Sequence, residues 1–116
     1  MAIDWTVRQA SRVGGILVAN GVNSGNCLPA AREIHPVALE RDAGSVVWQL
    51  WPTEGRYVVP RTELTRLWHY HATVEVSAHC VCALTGVPGT ARAEYVARHW
   101  KEDGLAWELD EGSEVP

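Results

Sequence analysis

This sequence predicts an α+β domain built on a small antiparallel sheet. Two observations carry that fold class. Apolar residues recur at helical spacing toward both ends of the chain, and the middle holds β-branched and aromatic runs, one of them alternating cleanly and followed by a hairpin partner. The element order is helix, helix, strands, helix.

Residues 4 to 20 place Trp5, Ala10, Val13, Ile16 and Leu17 on one helical face, with Asp4 as the expected N-cap. Gly14 and Gly15 weaken that helix, so part of "GGILVAN" also suits extended chain. "GVNSGN" is a turn by composition. A second helix is expected from Cys27 or Leu28, with Pro29 in its first turn, where proline is tolerated. Pro36 should end or kink it, because an interior proline removes a hydrogen bond and crowds the preceding turn.

"GSVVWQLW" reads as a strand, "RYVV" as another, and "RTELTRL" as a short helix or approach loop. "WHYHATVEV" alternates, with His69, His71, Thr73 and Glu75 on one face and Tyr70, Ala72, Val74 and Val76 on the other. After Ser77 and Ala78, "HCVCAL" follows as a hairpin partner. "TGVPGT" is a turn and "ARAEYVARHW" an amphipathic helix. Residues 1–104 are read as a single domain and 105–116 as an acidic, flexible tail.

At 116 residues, 47% hydrophobic and 21% charged, the chain fits one compact core. No segment approaches the roughly 20 apolar residues of a membrane span. The net charge of −4 comes from the end: residues 1 to 100 hold nine Arg against eight acids, and residues 101 to 116 hold Lys101 against six. Without a basic stripe, nucleic acid is not an expected partner. "MAIDWTVRQAS" lacks the layout of a secretory signal, so a cytoplasmic chain, or one delivered to a target cell by a non-classical route, is expected.

Three cysteines in such a chain argue against a disulfide framework. Cys27, in "SGNCLPAAREIHPVALE", falls where a helix begins. Free N–H groups and the helix dipole at that position favour a thiolate, the reactive form of a thiol. His71, near the start of a strand, is the natural group to take its proton and return it to a leaving group.

The order of these segments resembles the papain-like fold toxin domains of bacteria, small relatives of thiol proteases and glutamine deamidases. A cysteine after a small-residue turn opens a helix. Some forty residues later "WHYHATVEV" begins a strand, and "CVCALTGVPG" then "AEYVARHW" follow it. The resemblance spans about residues 20 to 100. It implies Cys27 as nucleophile and His71 as general base, with no cofactor. It also implies a protein amide as substrate, cleaved as a peptide bond or deamidated at glutamine, and a possible cognate immunity or partner protein. Such families place an Asp or Asn on the strand after the histidine. Here Cys82 stands about there, and Gln49 is a further orienting candidate. Asn23, Asn26 and the Cys27 backbone N–H are the candidate oxyanion donors.

Two other readings belong beside this one. A catalytically inactive binding or immunity-type module of the same fold is consistent with the missing acid. A small metal site is the other, since His69, His71, His79, Cys80 and Cys82 lie within fourteen residues. "HYHATVE" also has the His-x-His-x3-Glu spacing of a cupin motif, through His69, His71 and Glu75. Its upstream glycine is missing, however, and the chain after it is helical. Cys80 and Cys82 lack the two-to-four-residue spacer of a zinc knuckle. No metal is therefore assigned.

Overall fold

The computed structural model describes residues 2–102 and 104–111. Among these, three helices, α1 (Val7–Ala19), α2 (Cys27–Arg41) and α3 (Arg92–His99), accompany five strands: β1 (Val46–Pro52), β2 (His71–Val76), β3 (His79–Val81), β4 (Thr90–Ala91) and β5 (Leu105–Leu109). All pairings are antiparallel, in the order β4-β3-β2-β1-β5. The fold class is α+β, as the sequence predicts.

Alternation along β1 and β2 sorts the interior into two clusters. Val47, Ala72, Val74, Val76 and Val81 meet Val13 and Ile16 of α1 and Ala31, Ile34 and Ala38 of α2. Leu50, Cys80 and Cys82 meet Tyr95 of α3, with Val58, Trp100 and Leu105. Both clusters exclude water from apolar area, which is the main driving force of the fold. Cys27, Cys80 and Cys82 are all free thiols.

Several local expectations are corrected. The cap of α1 is Thr6, not Asp4: its hydroxyl accepts the Gln9 N–H while the Gln9 side chain accepts the Thr6 N–H, a reciprocal capping box. Gly14 and Gly15 stay helical within α1. Pro36 does not end α2, which runs on to Arg41. Ile34, Val37 and Ala38 are buried on either side of it, and an interruption there would pull that face off the sheet. "RYVV" is no strand: it contributes one isolated bridge, Val58 to Trp68, and Pro60 just after it bridges Trp100.

The segment expected to be a flexible acidic tail supplies β5, which pairs with β1 from Trp48–Leu109 to Pro52–Leu105. Asp110 then closes it down. Its carboxylate is 1% exposed and receives two hydrogen bonds from Arg32 of α2 and one from Gln49 of β1. The chain therefore does not end in the α3 helix, and the sheet gains its outer strand from residues 105–109. Residues 112–116 lie outside the described residues.

Candidate active site around Cys27

The turn before α2 needs glycine. Gly25 has φ +77°, the left-handed region, and a Cβ there would collide with the guanidinium of Arg66. Asn26 follows as the N-cap, with no side-chain cap bond, so its amide is not committed to the helix end. Its own N–H donates to the Ser24 hydroxyl, 3.2 Å away. Cys27 is thus the first helical residue. Asn23 does other work: its side-chain oxygen accepts the Thr65 N–H at 2.9 Å, tying the loop before β2 to the turn before α2.

Cys27 is half-buried between two spaces. Inward lies a cavity of about 10 Å³, room for a single water, bordered by Leu17, Cys27, Ile34, Trp68, His71 and Cys82. Outward lies an open groove of about 290 Å³, walled by Cys27, Arg66, Leu67, Trp68, His69 and Tyr70. Cys27 and Trp68 border both.

The structure therefore brings Cys27, His71 and Cys82 to one cavity, while Asn23 and Asn26 belong to the turn that precedes α2 and line neither space. Cys27 and His71 make no hydrogen bond to one another. Gln49 is engaged elsewhere: its amide donates to Asp110 and its oxygen accepts the Trp51 indole N–H at 3.3 Å. Cys82, in the place of the expected acid, contacts the Tyr95 hydroxyl at 3.4 Å and not the imidazole.

His71 is held by rings instead of by hydrogen bonds. Trp68 stacks on it, centroids 4.9 Å apart and 10° from parallel, and Trp100 meets it at 5.5 Å and 62°. The side chain is 1% exposed and neither ring nitrogen has a hydrogen-bond partner among the described residues. Burial alone pushes its pKa from 6.5 to about 3, so the imidazole is neutral at physiological pH. Burial also raises the Cys27 thiol, while the backbone amides of Ala72 and Leu28 pull it partly back. The resting pair is neutral thiol and neutral imidazole. An aromatic face in contact with imidazole also stabilises imidazolium, which is the charge a buried base must carry after it takes a proton.

The histidines of the hairpin point to separate places, while Cys80 and Cys82 share the cluster around Tyr95. His69 packs against Tyr57, His79 lies against the Ser77 carbonyl, and Glu75 binds the Trp48 indole and Arg92. Among the described residues no three His, Cys, Asp or Glu side chains converge as metal ligands. No helix of the described residues is long and apolar enough to cross a membrane.

The sequence reading missed Arg66 and Tyr70 as groove walls and Trp68 and Trp100 as the partners of His71. The alternation of "WHYHATVEV" placed His71 on a face but carried no signal for the rings that meet it. Comparison with known proteins finds no matching family model, curated protein or solved structure.

Proposed function

We propose that the chain is a papain-like, thiol-dependent hydrolase acting on an amide of a protein, with Cys27 as nucleophile and His71 as general base. The observation that carries the reading is the position of Cys27: the first residue of α2, exposed to an open groove and sharing an inner cavity with His71. The Cys27 sulfur attacks the amide carbonyl as its proton passes to a ring nitrogen of His71. The backbone N–H of Cys27 and the side-chain amide of Asn26, which makes no cap bond, would serve as donors for the oxyanion. Collapse of the adduct expels the amine, which takes the proton from imidazolium. Water, with His71 as base, then cleaves the thioester and restores the thiol.

The neutral resting pair bears on how the reaction starts. Proton transfer accompanies attack on a bound substrate, since burial disfavours a standing thiolate–imidazolium pair. A peptide-cleaving or glutamine-deamidating activity fits this site equally, and the setting of a bacterial toxin or effector follows from the resemblance alone.

A second reading is a binding module of the same fold, inactive as an enzyme. It draws on one observation: among the described residues no carboxylate or amide side chain hydrogen-bonds His71.

The test is mass spectrometry of glutamine-containing peptides incubated with the wild type and with Cys27→Ser. A gain of about one dalton, or cleavage, that disappears in Cys27→Ser supports the hydrolase. Equal products from both proteins, or none from either, removes the nucleophile role and leaves the binding module. Asn26→Ala should lower turnover by about tenfold or more if its amide serves the oxyanion.

A further inference from the structure

The groove outside Cys27 has a chemical bias that the proposed reaction does not require. Among the described residues, Arg66 and His69 are the ionisable side chains that wall it besides Cys27 and Tyr70, and no Asp or Glu lines it. Several arginines of this chain are satisfied: Arg8 meets Glu40, Arg32 meets Asp110, Arg92 meets Glu75 and Arg98 meets Glu94. Arg66 has no ion pair or hydrogen bond among the described residues. Its guanidinium lies over Gly25, two residues before the nucleophile, where a Cβ would displace it. The loop that carries it is braced to the same turn through Asn23 and Thr65.

We propose that this groove receives a peptide segment with an acidic side chain next to the amide presented to Cys27, and that Arg66 binds that carboxylate. Guanidinium matches carboxylate in shape and charge, and forms paired N–H···O contacts with it. Leu67, 63% exposed, with Trp68 and Tyr70, offers apolar surface for the residues flanking the acid. The neutral thiol at rest adds no repulsion to an approaching anion. The proposal rests on the hydrolase reading only in placing the amide over Cys27. The preference for an acidic segment stands on the groove itself.

Two alkylating reagents read the bias directly. Iodoacetate and iodoacetamide transfer their carbon to sulfur in the same way: the S–C bond forms, iodide leaves with the C–I electron pair, and the thiol proton goes to buffer. They differ in charge, so their rate ratio at Cys27 cancels the fraction of thiolate. The wild-type ratio of iodoacetate to iodoacetamide should exceed that of Arg66→Gln by about threefold to fivefold, and Arg66→Glu should fall below both. Added salt should shrink the difference. Identical ratios in wild type and Arg66→Gln overturn the proposal.

A second measurement is independent of thiol chemistry. In Cys27→Ala, a capped peptide with glutamine flanked by glutamate should bind more tightly than one flanked by glutamine, by a similar factor. Arg66→Gln in that background should equalise them. Equal binding at the outset rejects the acidic preference. If the preference holds but no amide is ever turned over, the hydrolase reading fails and the acidic-peptide groove remains.

Discussion

Beneath α1 and α2 the sheet meets an aliphatic interior, with Val13 and Ile34 from the helices packed on Val47, Ala72, Val74 and Val81. Toward α3 the same strands present Leu50, His71, Thr73 and Cys80 to Tyr95 and Trp100. The first face contains little that titrates. The second buries an imidazole without a hydrogen bond, and it raises the Tyr95 hydroxyl well above its ordinary pKa and the Cys80 thiol to about 12, chiefly through loss of water. Burying polar groups without full compensation costs stability, so a chain that does so on one face only has concentrated its cost there. The cavity shared by Cys27 and His71 lies at the end of the sheet where these two interiors meet.

The largest test of this contrast removes one large side chain from each face. Trp100, fully buried, touches the rings of Trp68, His71 and Tyr95. Trp100→Ala should lower unfolding free energy by about 3–5 kcal/mol, and Ile34→Ala by about 2–5 kcal/mol. The two costs overlap, but their character should differ. Water admitted by Trp100→Ala reaches His71, so that variant should also lose much of the wild type's acid sensitivity, while Ile34→Ala should keep it. Denaturant titrations of both variants at neutral and acidic pH check this. An unchanged pH dependence in Trp100→Ala would show that the aromatic cage does not control the imidazole.

The acid sensitivity itself comes next in size. His71 titrates at about 3 in the folded chain against 6.5 without burial, so the unfolded state takes up its proton first as pH falls. The stabilisation is complete above about pH 6.5 and is lost progressively between there and pH 3, at up to about 1.4 kcal/mol per unit. His99 is also held below its ordinary value and adds to the slope, so the decisive comparison is between proteins. His71→Leu should give a visibly flatter dependence of the urea midpoint between pH 7 and 4.5. Parallel curves for wild type and His71→Leu would mean that His71 is solvated in the fold.

What the sequence revealed divides along the same lines. The aliphatic face was readable because its strands and helices repeat with the 2.0 and 3.6 periods that burial imposes. Cys27 at a helix start was readable because the glycine turn and Pro29 mark the boundary locally. The second face was not. Trp68 and Trp100 meet His71 from a bridge and a helix end, and no spacing rule links residues 68, 71 and 100. Strand β5 was hidden because acidic residues flank "LAWEL" on both sides in the sequence and its closing partner, Arg32, lies 78 residues earlier. The helix continues past Pro36 for a related reason: the local rule that would end it there gave way to tertiary packing of the residues around it.

The smallest expected effect lies at the hairpin that joins β2 to β3, where a local rule also bends to the fold. Ser77 and Ala78 have φ of +51° and +63°, the conformation of a type I′ turn, which asparagine and glycine adopt at least cost. The Asp42 carboxylate accepts the Ser77 N–H at 2.8 Å and so helps hold the turn from the end of α2. An alanine in the left-handed region costs about 1–2 kcal/mol, and glycine gives back part of that relief through the greater freedom of the unfolded chain. Ala78→Gly should therefore raise stability by up to about 1 kcal/mol without altering the register of Val76 with His79. Because the turn aligns both faces at once, the gain should be the same at pH 7 and pH 5, unlike the effects at Trp100 and His71. A gain that vanished in acid would tie the turn to the buried imidazole, and a loss at both pH values would show that the left-handed backbone at residue 78 is not what the alanine strains.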